Sequence, residues 1–69
     1  MYQKERIDAV YDIIKKNGYV TVKYLINEIH YSSATINRDL NMLEKQGLIR
    51  RSYGGAELIE KKVDEIFGR

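Results

Sequence analysis

Three successive segments place apolar residues at helical spacing, and this pattern stops at Gly47. In residues 3–16 the apolar side chains recur at i, i+3, i+4 and i+7, which gives a helix one apolar face. Residues 22–29 repeat this spacing over only about two turns, so the second helix must be held by packing. A third helix is predicted over residues 32–46. The chain is therefore expected to begin with three short helices that share one core.

Capping residues mark where the predicted helices begin and end. Thr21 and Ser32 precede the second and third helices, and hydroxyl groups at such positions accept hydrogen bonds from free backbone N–H groups. Gly18 and Gly47 follow the first and third helices, where a residue with positive φ is common. A short helix, a three-residue turn and a longer helix match the spacing of a helix-turn-helix.

After the third helix the sequence changes to two short β-capable runs, Leu48–Tyr53 and Ala56–Glu60. Gly54 and Gly55 separate them, and consecutive glycines favour a type I′ hairpin turn, in which both central residues have positive φ. The predicted fold class is thus mainly α with a small β-wing. Three helices followed by a β-hairpin describe a winged helix-turn-helix.

The small size restricts the chain to one domain, because 69 residues supply a single hydrophobic core. We expect the winged helix-turn-helix to occupy residues 1–58. Residues 59–69 carry apolar side chains at i, i+4, i+7 and i+8 and predict a short amphipathic segment. That segment is expected to serve as a dimer contact, to pack back on the first helix, or to lead into a C-terminal effector domain.

Composition excludes several classes of protein. The chain has no cysteine, so disulfides and cysteine-ligated zinc sites cannot form. No stretch reaches the roughly 18 apolar residues of a membrane span, and residues 1–11 are too charged for a signal peptide. We expect a cytoplasmic, nucleoid-associated protein with no cofactor, no bound metal and no membrane partner. Residues 33–56 carry four basic and two acidic side chains, which suggests a nucleic-acid partner.

Catalysis has no support in the sequence. The single histidine, His30, lies near Ser32 and Ser33, but no carboxylate is placed to activate a nucleophile. Ser32 is better explained as a helix cap. The glycine pair is not a phosphate-binding loop, since no Lys-Ser/Thr follows it at the start of a helix. We therefore predict that the protein is not an enzyme.

The run YSSATINRDLNMLEKQGLIRRSYGGAEL resembles the N-terminal DNA-binding domain of DeoR-type bacterial transcriptional regulators. Their pattern combines Ser-x-x-Thr-Ile-Arg-Arg-Asp-Leu, Leu-Glu-x-x-Gly-Leu-Leu-Arg-Arg and x-His-Gly-Gly-Ala, and the resemblance covers about residues 5–58. It implies a regulator of transcription, most often a repressor. Where a C-terminal domain is present, it implies that a sugar phosphate or similar metabolite is sensed there. Asn37, Ser52 and Tyr53 depart from the usual Arg, Val and His.

The third helix has a polar face opposite its apolar residues Ile36, Leu40 and Leu43. A recognition helix needs such a face, because its first residues approach base edges in a major groove about 12 Å wide. Asparagine amides can read adenine, and arginine can read guanine or hold phosphate. The alternative is an ordinary solvated helix face. The candidate DNA-binding residues here are Ser32, Ser33, Ala34, Thr35, Asn37, Arg38 and Asn41.

The wing, predicted over residues 49–59, is basic and ends in a tip without side chains. Such a tip lets backbone N–H groups approach phosphates. The wing is expected to lie on the DNA backbone or in the minor groove, which arginine can enter. Alternation along a strand places Arg50 and Arg51 on opposite faces, so we expect at least one of them to contact phosphate. Protection of an exposed sheet edge is the alternative. The further candidate residues, in the wing and at the start of the second helix, are Thr21, Lys23, Arg50, Arg51, Tyr53, Gly54 and Gly55.

Asp39 lies beside the apolar face of the third helix, where a carboxylate does not favour DNA binding. It is expected to pair with a basic side chain such as Arg6 or Arg51 and to fix the helix in place. The expected partner of the whole domain is double-stranded DNA, with a homodimer spanning two half-sites as one arrangement. A winged-helix protein-interaction module and a binder of RNA or non-B DNA remain as alternatives.

Overall fold

A computed structural model describes residues 3–59 of the chain. The helices are α1 (Gln3–Asn17), α2 (Val22–Ile29) and α3 (Ser33–Lys45). The strands are β1 (Tyr19–Thr21), β2 (Ile49–Ser52) and β3 (Gly55–Leu58). The predicted winged helix-turn-helix, with three helices and a β-hairpin wing, is confirmed. Residues 1–2 and all but the first residue of the predicted segment 59–69 lie outside the described residues.

The strands form one antiparallel sheet in the order β1-β3-β2. β3 pairs with β2 as a hairpin and with β1 through Tyr19↔Glu57, Val20↔Ala56 and Thr21↔Gly55. From the sequence, Tyr19 and Val20 were predicted only as an extended piece. A strand of three residues is too short for its alternation to indicate a partner, so the third strand of the sheet was missed.

Every helix and strand contributes to one core. The face predicted to be buried on α3 is confirmed, since Ile36, Leu40 and Leu43 are all buried. Burial of an apolar side chain of this size contributes about 1.5–3 kcal/mol to the free energy of folding. The short helix α2 is held in the same way, by burial of Leu25. The other buried apolar residues are Val10, Ile14, Val20, Leu25, Ile49 and Ala56.

The two predicted N-caps are confirmed. Thr21 Oγ1 accepts a hydrogen bond from the Tyr24 N–H at 3.0 Å. Ser32 Oγ accepts one from the Thr35 N–H at 3.3 Å. Each hydroxyl satisfies a backbone donor that has no partner within its own helix, so both helices begin where the sequence indicates.

The ends of the helices are also set locally. Gly18 and Gly47 follow α1 and α3 with positive φ, as predicted. α2 ends instead at His30, whose φ is 67° and whose N–H donates to the Ile26 carbonyl at 2.7 Å. The single histidine therefore terminates a helix, and its left-handed conformation turns the chain toward α3.

Asp39 is fully buried and forms a two-point ion pair with Arg6 of α1. Arg6 Nε and Nη2 donate to Asp39 Oδ2 and Oδ1 at 2.5 and 2.8 Å. The guanidinium carbon also lies 4.9 Å from the centre of the Tyr31 ring. The hydrogen bond to Asp39 raises the pKa of Arg6, so the guanidinium stays charged. Of the two partners predicted for Asp39, Arg6 is the one observed.

The hairpin turn lies one residue earlier than predicted. Positive φ occurs at Tyr53 (43°) and Gly54 (74°), and Ser52 pairs with Gly55, so the two-residue turn is Tyr53-Gly54. Gly55 is buried in β3, where an added Cβ would lie 2.0 Å from the Val20 carbonyl oxygen. The prediction of a Gly54-Gly55 turn was wrong because Gly55 is needed for the close approach of β1 instead.

Candidate nucleic-acid interface

The polar face of α3 lies on the surface of the domain. At its N-terminal end, Ser33 and Ala34 are exposed and small, which leaves the helix terminus open to close approach. Further along, Arg38 and Asn41 are also exposed, whereas Asn37 is partly buried. The opposite face of the helix is taken up by the core. The arrangement has the shape that a recognition helix requires.

Two of the candidate hydroxyls are engaged at the start of α3. Ser32 Oγ caps the helix and donates to Thr35 Oγ1 at 3.1 Å, and Thr35 is partly buried. Their main contribution is thus to fix the first turn. Ser33 is exposed on the surface, as is Ser32.

Asn37 and Asn41 share a partner that the sequence did not indicate. Arg51 Nη2 donates to Asn37 Oδ1 at 2.6 Å, and Arg51 Nη1 donates to Asn41 Oδ1 at 2.8 Å. The amide nitrogen of Asn37 in turn donates to the Ser33 carbonyl at 2.8 Å. Both polar atoms of the Asn37 side chain are therefore bonded within the protein.

The same arginine connects the wing to the helix by its remaining groups. Arg51 Nε donates to the Gly55 carbonyl at 3.3 Å, and its backbone N–H donates to Glu44 Oε2 at 3.1 Å. Arg50 lies on the other face of β2 and donates from Nε to Glu57 Oε2 at 2.8 Å. The predicted placement of Arg50 and Arg51 on opposite faces is confirmed. Arg50 remains accessible, because 69% of its side chain is exposed.

The wing tip is anchored beside the start of α2. The Tyr19 hydroxyl donates to the Tyr53 carbonyl at 2.8 Å, and the Val22 N–H donates to the Gly54 carbonyl at 3.0 Å. These bonds bring the tip close to the start of α2, which carries Thr21 and Lys23, although the two regions are far apart in sequence. The Tyr53 ring is 95% exposed at the tip. Sequence reasoning missed the role of Tyr19, which no local pattern marks.

Two exposed cations complete the surface. Arg38 on α3 and Lys23 on α2 are exposed, and neither forms an ion pair with any residue in the range 3–59. Cations without a carboxylate partner are available to phosphate. The basic groups of this surface therefore come from α2, α3 and the wing together.

Two clefts of the domain lie away from the single histidine. One, of about 350 Å³, lies between α1 and the C-terminal end of α3 and is lined by residues such as Ile7, Tyr11 and Leu43. Neither this cleft nor a smaller one of about 230 Å³ is lined by His30. Among residues 3–59 no three His, Cys, Asp or Glu side chains are grouped to hold a metal ion. Over the same range, the helices are too short or too polar to cross a membrane.

The fold and this surface define the class: a winged helix-turn-helix domain whose third helix presents a polar face beside an anchored basic wing. Within that class, the family model for the DeoR-like helix-turn-helix domain matches residues 6–62, and the chain belongs to this family. The resemblance that the sequence motifs indicated is thereby confirmed.

Several characterised regulators are similar to the chain. It is 40% identical over 62 residues to the lactose phosphotransferase system repressor of Lactococcus lactis subsp. lactis, covering 90% of this chain and 24% of that protein. It is 39% identical over 64 residues to the glycerol-3-phosphate regulon repressor of Escherichia coli K12, covering 93% and 25%. For the transcriptional repressor GlcR of Bacillus subtilis 168, identity is 37% over 71 residues, covering 100% and 28%. The chain thus spans about a quarter of the length of these relatives. No solved structure matches the chain at a significant level.

Proposed function

We propose that this domain binds specific sequences of duplex DNA and acts in a transcriptional repressor. The observation that carries the proposal is the exposed polar face of α3, held beside the basic wing by Arg51. Membership of the DeoR-like family supports it, and the similar proteins are named as repressors.

In this proposal the N-terminal half of α3 enters the major groove. Ser33 and Ala34 are small enough to allow close approach, and Arg38 and Asn41 extend toward base edges. Arginine pairs well with the O6 and N7 atoms of guanine and also binds phosphate. The remaining candidates on this helix, Ser32, Thr35 and Asn37, support the surface through bonds within the protein.

The DNA backbone would be held on both sides of the recognition helix. Thr21 and Lys23 at the start of α2 and the wing tip at Tyr53 and Gly54 are proposed to lie against phosphates. Gly55 is buried, so its contribution would be to the shape of the wing. At least one of the two wing arginines is proposed as a phosphate contact. Together these groups would neutralise roughly four to six phosphates and make binding steeply dependent on salt.

Finer features of the function are also proposals. A homodimer would place two α3 helices in successive major grooves, about 34–36 Å apart. An effector of the sugar-phosphate type is proposed only for a protein in which a further domain follows this one. We propose no catalytic activity for the domain itself.

Selection of sites from a pool of random 20-base-pair duplexes tests the proposal. We expect a recurrent sequence to emerge, and the selected duplex to bind at least about a thousandfold more tightly than the unselected pool, which is the lower end of the range for specific DNA-binding proteins. Single-stranded RNA and duplex RNA of matched length serve as competitors. Failure to bind any duplex DNA at low salt would favour a protein-interaction module, and stronger competition by RNA would favour an RNA-binding function.

A further inference from the structure

We infer that Arg51 is a positioning residue that locks the wing to α3 and orients the side chain of Asn41, with Oδ1 turned to Arg51 and the Nδ2 donor presented to DNA. The inference rests on the proposed DNA-binding function and deepens it, because it names the kind of base edge that this position reads. It also assigns the phosphate contact of the wing to Arg50, whose side chain is 69% exposed although it pairs with Glu57, rather than to Arg51.

The guanidinium of Arg51 is bonded in three directions. Its Nε, Nη1 and Nη2 atoms donate to the Gly55 carbonyl, Asn41 Oδ1 and Asn37 Oδ1 at 3.3, 2.8 and 2.6 Å. Hydrogen bonds from a charged donor are roughly twice as strong as neutral ones. Because the acceptors belong to both β3 and α3, the planar group cannot rotate toward DNA without giving up bonds to both elements.

Asn37 supplies one of the acceptors that hold the Arg51 guanidinium against α3. Its Oδ1 faces Arg51, while its Nδ2 is turned back to the Ser33 carbonyl at 2.8 Å. An arginine at position 37, the usual residue in the pattern that the sequence resembles, would instead bring a second positive charge against Arg51. Like charges at this distance repel, so the connection between wing and helix depends on the residue at 37.

The bond from Arg51 determines what Asn41 can recognise. Asparagine reads adenine with two atoms: Oδ1 accepts from the N6 amino group and Nδ2 donates to N7. In this protein Asn41 Oδ1 already accepts from Arg51. The Nδ2 group remains as a donor, and it matches the acceptor atoms of the major groove, which are O6 and N7 of guanine, O4 of thymine and N7 of adenine. We therefore expect a single contact from Nδ2 to an acceptor atom, without the bond from the adenine N6 amino group to Oδ1 that the residue type alone suggested.

A first experiment needs no DNA. The side-chain amide resonances of Asn37 and Asn41 are recorded by NMR in the parent chain and in Arg51→Met. We expect both resonances to shift, and the protection of the Asn37 amide protons from solvent exchange to fall at least threefold. The matched control is Arg50→Met, which removes an arginine from the other face of the same strand and should leave both resonances unchanged. Unchanged Asn resonances in Arg51→Met would overturn the inference whether or not the protein binds DNA.

A second experiment compares the duplex selected by the parent protein with the same duplex substituted at the base pair read by Asn41. That base pair is identified as the one whose substitution weakens binding of the parent but not binding of Asn41→Ala. Arg51→Lys keeps the charge but loses the planar group, so a phosphate contact would survive this change while the positioning role would not. We expect Arg51→Lys to lower discrimination between the two duplexes about tenfold, with an unchanged slope of log K against log salt. Arg50→Met should reduce that slope by about one and preserve discrimination.

The opposite pattern would overturn the inference. If Arg51→Lys retains full discrimination while Arg51→Met lowers the salt slope by about one, Arg51 is a phosphate contact. If the base read by Asn41 proves to be adenine, and removal of its N6 amino group weakens binding of the parent, then Asn41 Oδ1 accepts from DNA and the proposed orientation fails. If the parent selects no duplex at all, the proposed function fails, and the NMR comparison still decides whether Arg51 holds the two asparagines.

Discussion

Two arginines contact opposite sides of α3, and their partners differ in burial and charge. On the inner side, Arg6 meets the fully buried carboxylate of Asp39. On the outer side, Arg51 meets the amides of Asn37 and Asn41, at the edge of the surface proposed to bind DNA. A charge buried without its partner is costly, so the inner pair fixes the helix in the fold. Arg51, bonded to neutral amides near solvent, fixes the orientation of those side chains. Its removal is expected to lower the free energy of unfolding by less than removal of one partner of the buried pair.

The residues that stabilise the fold and the residues proposed to recognise DNA therefore lie on opposite sides of the helix. Substitutions on the inner side are expected to change the free energy of unfolding first and DNA binding only as a consequence. Substitutions on the outer side are expected to change binding or base preference while the domain stays folded. Variants on each side of the helix can therefore distinguish the two roles.

The largest effect is expected from Asp39→Ala. This change leaves the Arg6 guanidinium among buried groups without its carboxylate, and we expect the free energy of unfolding to fall by about 3–5 kcal/mol. Urea unfolding followed by circular dichroism measures it. Glu28→Ala, which removes an exposed carboxylate of α2 that forms no ion pair within residues 3–59, is the control. A loss below about 1 kcal/mol for Asp39→Ala would mean that the pair does not fix α3.

Ile36→Ala tests the apolar part of the inner side. Ile36 is fully buried, and truncation of such a side chain is expected to cost about 2–5 kcal/mol, enough to unfold much of a domain this small. Met42→Ala on the more exposed part of the same helix provides the comparison. Equal melting temperatures for Ile36→Ala and the parent would contradict the packing described for α3.

The wing can be tested by a pair of glycine substitutions. In Gly55→Ala the new Cβ meets the backbone of Val20, so we expect a loss of about 1–3 kcal/mol and separation of β1 from β3. In Gly54→Ala the cost arises from the positive φ alone and is expected to be about 1–2 kcal/mol. Thermal unfolding of both variants compares them. A larger loss for Gly54→Ala than for Gly55→Ala would place the crowded position in the turn after all.

The smallest effect on stability is expected from Arg38→Ala. The side chain is exposed and forms no ion pair within residues 3–59, so the free energy of unfolding should change by less than about 0.5 kcal/mol. Binding to the selected duplex should nevertheless weaken by about 1–3 kcal/mol in a fluorescence anisotropy titration. Lys16→Ala, an exposed cation at the end of α1, is the control. Equal affinity of Arg38→Ala and the parent would remove Arg38 from the interface.

Features that depend on neighbouring residues in the sequence could be predicted from it. Helical spacing predicted α1, α2 and α3. The residue types at Thr21 and Ser32 identified the N-caps of α2 and α3. A carboxylate at Asp39, next to apolar positions, indicated an ion pair because such a group cannot be buried alone. The choice between its two candidate partners needed the packing of α1 against α3.

Features that depend on distant residues could not be predicted. The turn was placed at Gly54-Gly55 because nothing near Gly55 reveals that β1 crosses it. Arg51 contacts Asn37 and Asn41, which lie 14 and 10 positions away on a different element. The spacing rules for helices and strands predict no contact at these separations. The residue types at the candidate site were visible in the sequence, whereas the atoms left free for DNA were set by the fold.

The most direct test of the account follows backbone amide resonances of the chain while the selected duplex is added. We predict that the largest chemical-shift changes occur at Ser33, Ala34, Arg38 and Asn41, with smaller changes at Lys23 and the wing tip, and that the cleft between α1 and α3 is unaffected. Changes confined to that cleft, with the exposed face of α3 unmoved, would contradict the claim that this face reads DNA.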